Sequence, residues 1–315
     1  MDVPANANAG CPGVGSAQAG KTSSCEGCPG QKNCSQGIAP PKPDQSGVID
    51  RMNQVKHKIL VMSGKGGVGK SSVTVSLALA LARNPDVQVG VLDVDLCGPS
   101  LPRMFGVEEE EVHTSNEGWS PVAVKDNLSV MSIAFLLDSR SDAVIWRGPR
   151  KSAMVKQFLS DVDWGKLDYL LVDTPPGTSD EHLSIVQLLS GSVDGAILVT
   201  TPQEISLLDV RKEFSFCQKT SLPVLGVVEN MSGFVCPSCS NCAALFPPTS
   251  GGAAAMCRET GIPLLGRLPL DPRLAQSLDK GTDFLEEHGD SPLVSALEEV
   301  VNKLNEKLKS TGDGQ

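Results

Sequence analysis

The sequence has no surplus of positive charge and no long apolar run. Its 27 lysines and arginines are outnumbered by 37 acidic residues, which gives a formal net charge of −10 at pH 7. A chain with this balance carries no general field that would hold nucleic acid or an anionic membrane surface. No segment reaches about 18 consecutive apolar residues, so we expect no membrane span. We therefore expect neither nucleic acid nor a membrane among its partners.

Sorting signals are also missing from the beginning of the sequence. The first eight residues, MDVPANAN, contain neither a basic stretch followed by an apolar core nor the arginines of a transit peptide. This favours the cytoplasm, with a nuclear pool left open. Histidine is scarce, with 4 residues against 10 cysteines, which disfavours mixed Cys/His zinc sites. In a reducing compartment, clustered cysteines indicate metal ligands more often than disulfides, whereas scattered ones indicate core packing.

The most specific motif is the glycine-rich segment GKGGVGKSS. An apolar run at 59–62 precedes it and a helical stretch follows, which is the strand–loop–helix context of a phosphate-binding loop. Glycines let successive backbone N–H groups converge on phosphate oxygens, and the helix N-terminus adds positive charge. Lys70 is predicted to reach the β- and γ-phosphates of ATP, and Ser71 to bind Mg²⁺. The predicted nucleotide-binding residues of this loop are Gly64, Lys65, Gly66, Gly67, Val68, Gly69, Lys70, Ser71 and Ser72.

Polar side chains follow three other apolar runs. Asp93 and Asp95 end one of them, and our hypothesis is that Asp95 positions or activates the attacking water while Asp93 lies in the second shell of Mg²⁺; a simple strand cap is the alternative. Asp173 ends a second run and is predicted to be the other carboxylate on the Mg²⁺ side. The stiff turn after it, TPPG, is suited to sensing the γ-phosphate. Asn230 ends a third run and could recognise an adenine edge, although a turn asparagine is the ordinary alternative.

Apolar runs and helical stretches alternate from residue 58 onward. Strands are predicted at 59–63, 87–93, 128–133, 168–173, 195–200, 224–229 and 264–267, and helices near 71–83, 150–160, 181–190, 204–219, 252–260 and 292–309. This alternation predicts an α/β fold with a doubly wound, mainly parallel sheet. We expect an N-terminal extension and linker at 1–48, largely irregular, then an ATPase domain at 49–310 and a flexible tail at 311–315. Residues 106–127 are predicted to be a solvated insertion, and the last helix to pack on the domain.

Five motifs together resemble one family. They are GKGGVGKSS, DVDLCGPSLPRMFG, WRGP, DTPPGTSDEHLS and ENMSGFVCPSC, and they span almost the whole chain. All are similar to the Mrp/NBP branch of MinD-type ATPases, which have a deviant phosphate-binding loop and act as scaffolds that assemble iron–sulfur clusters and transfer them to apo-proteins. The resemblance implies that Lys65 reaches the partner subunit's nucleotide across a dimer. Together with the residues argued above, the predicted catalytic residues are Lys65, Lys70, Asp95 and Asp173.

Four cysteines lie within the first 48 residues, in a segment with few apolar residues. Their spacing is C-x₁₃-C-x₂-C-x₅-C, and four thiolates without an apolar core are typical of segments folded by a metal. Spacing alone leaves zinc open. The resemblance assigns them a tightly bound [4Fe–4S] cluster, because the eukaryotic NBP-type members carry such an extension. The predicted ligands are Cys11, Cys25, Cys28 and Cys34.

A second cysteine pair, Cys236 and Cys239, follows the strand that ends at Asn230. Two thiolates are half of a four-ligand site, so two chains would complete it. The resemblance assigns this pair a labile [4Fe–4S] cluster that bridges two subunits; structural zinc is the alternative, and Cys242 a possible third ligand. The three remaining cysteines are predicted to be packing residues: Cys97, Cys217 and Cys257.

The function predicted on this basis is an ATP-dependent scaffold, with slow ATP hydrolysis, that assembles [4Fe–4S] clusters for cytosolic and nuclear apo-proteins. By resemblance, its partners are a shorter relative in a hetero-oligomer such as a heterotetramer, or a second copy in a homodimer, together with recipient apo-proteins and targeting factors. The alternatives are a zinc-stabilised regulatory ATPase of the MinD/ParA kind and an iron–sulfur reductase. A MinD/ParA-like role predicts a basic membrane-binding tail or a basic DNA-binding face, and neither is visible in the sequence; zinc in place of iron is left to metal analysis. The reductase expects a cysteine pair where Cys97 stands alone.

Overall fold

A computed structural model describes residue 11, residue 13, residue 16 and the ranges 18–28, 31–35, 45–137, 146–235 and 242–312. The chain divides into two compact units, residues 1–45 and 46–315. The first unit contains a short 3₁₀-helix at Ser23–Cys25 and helix α1 at Gln31–Ser35. The second unit contains the sheet and every other element given below.

The secondary structure of the second unit alternates between strands and helices. The strands are β1 Val55–Met62, β2 Val89–Asp93, β3 His113–Ser115, β4 Gly118–Ser120, β5 Val122–Lys125, β6 Leu128–Ser132, β7 Leu167–Asp173, β8 Gly195–Thr200, β9 Val224–Glu229, β10 Phe234–Val235, β11 Cys242–Ala243 and β12 Leu264–Arg267. The helices are α2 Ser46–Met52, α3 Lys70–Ala82, α4 Leu101–Met104, α5 Gly148–Ser160, α6 Asp180–Leu188, α7 Glu204–Thr220, α8 Gly252–Thr260, α9 Pro272–Lys280, α10 Phe284–Glu287 and α11 Pro292–Gly312.

Eight of the described strands form one sheet in the order β12-β9-β8-β1-β7-β2-β6-β5. All neighbours pair in parallel except β5 and β6. The central strands are aliphatic on both faces, as expected where helices cover both sides. Ile59 and Val61 point into one core cluster while Leu60 and Met62 point into the other. The predicted α/β fold with a mainly parallel sheet is confirmed.

Two regions differ from the sequence-based expectation. Residues 106–127 were expected to be a solvated insertion, but they contain β5, which pairs with β6 at the sheet edge and buries Val122. A four-residue strand gives too short a pattern to be recognised from sequence. Helix α9 was also missed, although its ends carry clear signals: Asp271 caps it, Pro272 opens it and Gly281 closes it with φ of 70°.

The C-terminal helix packs on the domain, as predicted. Its apolar side chains are buried in the same cluster as those of α3: Leu293, Leu297, Val300, Leu304 and Leu308. In the described ranges, no helix is both long enough and apolar enough to span a bilayer.

The sheet order brings the polar strand ends together. Strand β7 lies between β1 and β2, and Asp173 is in register with Val61 on one side and with Asp93 on the other. The loops that follow β1, β2 and β7 therefore meet at one edge of the sheet, where ligands of such folds bind.

Candidate nucleotide site

The glycine-rich loop runs from the end of β1 to the start of α3 and lines a cleft of about 210 Å³. Two of its glycines are required by close neighbours. A Cβ on Gly64 would collide with the backbone of Asp209 in α7, and one on Gly69 would collide with the side-chain amide of Asn230. Gly69 also has φ of 79°, a left-handed conformation that glycine adopts without strain. The loop is thus held in shape by α7 on one side and by the end of β9 on the other.

Lys70, Ser71 and Asp173 form one buried hydrogen-bonded group. The Nζ of Lys70 lies 2.6 Å from Oδ2 of Asp173, and the hydroxyl of Ser71 donates to the same oxygen at 2.7 Å. Thr74, one turn into α3, donates to Oδ1 of Asp173 at 2.6 Å. Sequence reasoning missed Thr74: its position one turn after Lys70 is visible in the sequence, but its contact with Asp173 depends on β7 lying beside β1. A carboxylate, a hydroxyl and an ammonium at one point are a donor set suited to Mg²⁺ and phosphate oxygens.

The two carboxylates after β2 have different surroundings. Asp93 is buried; it accepts from the hydroxyl of Ser132 at 3.1 Å and from the backbone N–H of Asp95 at 3.1 Å. Burial, reinforced by the charge of Asp173 and opposed by that of Lys70, raises the pKa of Asp93 to about 8. Asp93 is thus largely protonated at neutral pH, a state suited to a supporting role rather than to direct binding of a cation.

Asp95 is half-buried and lines the cleft beside the phosphate-binding loop. Its Oδ1 accepts from the backbone N–H of Gly98 at 3.3 Å. Burial is the main cause of a raised pKa for Asp95, with the Lys70 charge acting in the opposite direction. A carboxylate that opens onto the cleft and has a raised pKa is compatible with handling a proton of an attacking water. Ser100 and Met104 also line the cleft and were not predicted from the sequence, whereas Pro176, which lines it too, belongs to the TPPG turn singled out in the sequence.

Lys65 is exposed and lies at the cleft. Nearby, α7 carries two exposed aliphatic side chains, Ile205 at 58% and Leu208 at 51% exposure. Because Asp209 touches Gly64, these side chains lie next to the loop that contains Lys65. The cleft therefore has an exposed cation in its lining, and the helix that contacts its loop carries exposed aliphatic side chains.

Asn230 is buried against the phosphate-binding loop. Its side-chain amide donates to the carbonyl of Val68 at 2.9 Å, so one donor is committed to that loop. The preceding residue, Glu229, was not singled out from the sequence. Its carboxylate accepts from the backbone N–H of Ala253 at the start of α8 at 2.7 Å and lies 3.1 Å from Arg267 Nε. The segment between Asn230 and Ala253 is thus fixed at both ends.

The predicted cysteine ligands divide into two groups. Cys236 and Cys239 lie outside the described residues. Cys25 is buried, and a hydrogen bond from the Thr22 hydroxyl, at 3.1 Å, lowers the pKa of its thiol, which favours the thiolate. Cys11, Cys28 and Cys34 are partly exposed in the same compact unit. Within the described ranges, no three His, Cys, Asp or Glu side chains are assembled as a metal site, so the ligand set stays a prediction resting on its four thiol donors.

The other cysteines follow the sequence expectation with one exception. Cys217 and Cys257 are buried, and burial raises the pKa values of their thiols to about 12 and about 11. Cys97 was expected to pack but is exposed. Cys97 lies in the turn after β2, close enough to Lys151 to share a hydrogen bond. The prediction that it packs in the core is therefore wrong.

Comparison with known proteins identifies the family. A family model described as "ParA: NUBPL iron-transfer P-loop NTPase" matches residues 54–305. The chain belongs to this family. It is 59% identical over 310 residues to a Caenorhabditis briggsae protein named cytosolic Fe-S cluster assembly factor NUBP1 homolog. The alignment covers 98% of this chain and 99% of the relative. A Brugia malayi protein of the same name is 61% identical over 307 residues, or 96% and 99% of the two chains.

Solved structures support the same assignment. A nucleotide-binding protein from Archaeoglobus fulgidus, in complex with ADP, has 38% identity and a TM-score of 0.66 over 76% of this chain and 92% of that one. The cell division ATPase MinD of Pyrococcus furiosus has 26% identity and a TM-score of 0.55 over 79% and 98%. The resemblance to MinD-class NTPases inferred from the motifs is confirmed.

Proposed function

We propose that this chain is an ATP-dependent scaffold that assembles [4Fe–4S] clusters in the cytosol and transfers them to apo-proteins. The observation that carries the proposal is near full-length similarity, at about 60% identity, to proteins named cytosolic Fe-S cluster assembly factors. The dependence on ATP is supported by the nucleotide cleft, where Lys70 and Ser71 both contact the carboxylate of Asp173.

We further propose that this chain hydrolyses ATP slowly. The loop amides and Lys70 would bind the phosphates, and Ser71 with Asp173 would hold Mg²⁺. When bound, that ion would supply positive charge that stabilises the charge developing on the phosphate. Asp95 would orient water, and Asp93 would support the site through its hydrogen bonds to Ser132 and the Asp95 backbone. Asn230 would add contacts to adenine with the part of its amide that Val68 does not use.

The cysteines would hold the clusters. Cys11, Cys25, Cys28 and Cys34 would bind a resident [4Fe–4S] cluster in residues 1–48, and Cys236 with Cys239 would hold the cluster that is transferred. The thiol donors fit iron and sulfide, and the lowered pKa of Cys25 favours the thiolate that such binding needs. Two chains would supply four ligands to the transferred cluster, so the proposal requires a dimer or a hetero-oligomer with a shorter relative.

The surface around the cleft supports association of two subunits. Lys65 is exposed at the cleft, and Ile205 and Leu208 are exposed on the adjoining part of α7. Covering these apolar side chains would stabilise a dimer in which Lys65 reaches the second nucleotide. We expect Leu208→Glu to prevent ATP-dependent dimerisation in light scattering, with Ile49→Glu, an exposed aliphatic residue of α2 ahead of β1, as the matched control. A Leu208→Glu protein that dimerises like the control would contradict this arrangement.

Metal analysis and transfer test the function directly. Protein purified without oxygen is expected to contain about four irons and four sulfides per N-terminal site, and about four more per dimer. It should restore an apo-protein that needs a [4Fe–4S] cluster, at a rate that depends on ATP. A colourless protein with one zinc per four cysteines would support the zinc-stabilised ATPase instead, and iron that never leaves the protein would contradict the scaffold role.

A further inference from the structure

The loop that connects Asp173 to α6 is held at both ends by one buried histidine. His182 lies in the first turn of α6 and is fully buried. The backbone N–H of Ser179 donates to its Nδ1 at 3.2 Å, and its Nε2 lies 3.0 Å from the hydroxyl of Thr174. Thr174 immediately follows Asp173, and Ser179 immediately precedes α6. The ring therefore joins the two ends of the segment 174–179.

The hydrogen-bond partners determine where the proton of the ring lies. A backbone N–H can only donate, so Nδ1 of His182 must accept from Ser179. In the neutral ring the proton is then on Nε2, which donates to the Thr174 hydroxyl. Thr174 in turn donates to the carbonyl of Val61 at the end of β1, at 2.9 Å. The result is a directed chain from Ser179 through His182 and Thr174 to β1.

The ring is held in the neutral state that this chain requires. Burial lowers the pKa of His182 to about 4; the charge of Lys70 acts in the same direction, whereas Glu181 opposes it. The ring also packs edge-on against Phe216 of α7, with centroids 6.1 Å apart. His182 does not line the cleft, so it has no direct access to a nucleotide or to the attacking water.

The segment that the histidine closes is part of the nucleotide site. Asp173, which directly precedes the segment, pairs with Lys70 and accepts from Ser71. Pro176, inside the segment, lines the cleft. The backbone N–H of Gly177 donates to the carbonyl of Ser63, at 2.8 Å, just before the phosphate-binding loop. A shift of this segment would thus displace groups on the γ-phosphate side of the site.

We propose that His182 is a positioning residue for ATP hydrolysis, which holds segment 174–179 in its working conformation through one donor and one acceptor on opposite ring nitrogens. The proposal rests on the proposed function only in assuming that the cleft hydrolyses ATP. It does not depend on cluster transfer. The Ser179 capping arrangement explains why a histidine can do this: it occupies the position where a capping box usually has Glu or Gln.

Three variants test the proposal. His182→Phe keeps a ring against Phe216 but removes every hydrogen bond of the ring, including the one with the Ser179 hydroxyl, which lies 3.1 Å from Nδ1. Thr174→Val removes the hydroxyl at nearly constant volume, and His182→Gln keeps one donor and one acceptor. We expect kcat for ATP hydrolysis to fall about 10- to 100-fold in the first two, with a small change in KM, because misplacement of reacting groups lowers turnover more than binding. His182→Gln should recover most of the rate. His57→Phe, a histidine at the opposite edge of the sheet near Asp194, is the matched control and should keep the wild-type kcat.

Amide hydrogen exchange provides a readout that does not need turnover. In His182→Phe, the amide of Ser179 and its neighbours should exchange about fivefold faster or more, because a bond of about 1 kcal/mol is lost. Thermal unfolding shows whether each variant folds. If His182→Phe does not fold, kcat of Thr174→Val tests the proposal instead. If folded His182→Phe or Thr174→Val kept both the wild-type kcat and the wild-type exchange rates, the proposal would be overturned. It would also be overturned if kcat of His182→Gln were as low as that of His182→Phe. A wild-type protein that hydrolyses ATP but transfers no cluster would remove the scaffold function and leave this inference standing.

Discussion

In the nucleotide cleft, charged side chains hold one another in place, whereas the described part of the first unit buries few apolar side chains around its cysteines. The carboxylate of Asp173 pairs with Lys70 and accepts hydrogen bonds from Ser71 and Thr74. Among the described residues of the first unit, the buried hydrophobic side chains are Ala19 and Cys25. The cleft is thus organised by its own hydrogen bonds, whereas our prediction for the N-terminal unit is that a bound metal supplies the folding energy. The following predictions test this contrast.

The largest expected effect is on hydrolysis in Lys70→Ala. Loss of the cation removes a phosphate contact and leaves the buried carboxylate of Asp173 without its charge partner. We expect ATP turnover to fall about 100-fold or more, with a loss of stability of about 3–5 kcal/mol. Iron bound to the N-terminal cysteines should be unchanged, as measured by iron analysis of the same samples. Lys166→Ala, an exposed lysine at the start of β7, is the control and should behave like wild type in all respects. Loss of the N-terminal iron in Lys70→Ala would show that the two regions are not independent.

The reciprocal change is expected to affect only the N-terminal unit. Cys28→Ser replaces a thiolate by a poor ligand, so about four irons per chain should be lost while ATP binding is retained. Iron analysis and nucleotide titration of the same protein measure both effects. Cys97→Ser removes an exposed thiol outside the predicted ligand set and should keep all the iron. If Cys28→Ser kept its iron, the predicted four-cysteine site would be wrong.

The smallest expected effect concerns the cost of building the cleft. Burial raises the pKa of Asp93 to about 8, so the folded state binds a proton that the unfolded chain releases near pH 4. Stability contributed by this group therefore falls as the pH rises from about 4 to 8. Asp93→Asn removes this dependence, so its melting temperature, without nucleotide or Mg²⁺, should exceed that of wild type by more at pH 8 than at pH 5. For a chain of this size, each 1 kcal/mol corresponds to about 2–4 °C.

A matched variant separates this effect from a general benefit of losing negative charge. Asp126→Asn changes an exposed carboxylate in the turn between β5 and β6. It should give a difference from wild type that does not grow between pH 5 and pH 8. If Asp93→Asn shows the same flat profile, the carboxyl of Asp93 is not titrating near neutral pH in the folded protein.

How much of this site could be predicted depended on how local its signals are. The phosphate-binding loop, Asp93, Asp173 and the flanking strands were predicted, because each is encoded within about ten consecutive residues. The contacts of Thr74 and Ser132 with these carboxylates were not, because they require β7 to lie between β1 and β2, and β6 beside β2. Strand order is set by packing over the whole chain, which no local pattern records.

The same reason explains why His182 escaped notice. In the sequence it is one residue of DEHLS, and its spacing to Ser179 resembles an ordinary helix start with an unusual third residue. Its link to Thr174 becomes visible only when the turn between them is folded. Cys97 was misjudged in the opposite way: as a cysteine outside the clusters and beside a predicted strand it was expected to pack, but in the turn after β2 it is exposed.

The carboxylate of Glu229 has a consequence for how the second cysteine pair can vary. It binds the start of α8 while the next residue, Asn230, binds the phosphate-binding loop, so both ends of the intervening chain are fixed to the same sheet edge. Once the ends of a loop are held together, doubling its length costs only about 0.6 kcal/mol in closure entropy. We therefore expect added residues between these two anchors to cost little closure entropy, so that chain length there can change without loosening the hydrogen bonds that hold its ends.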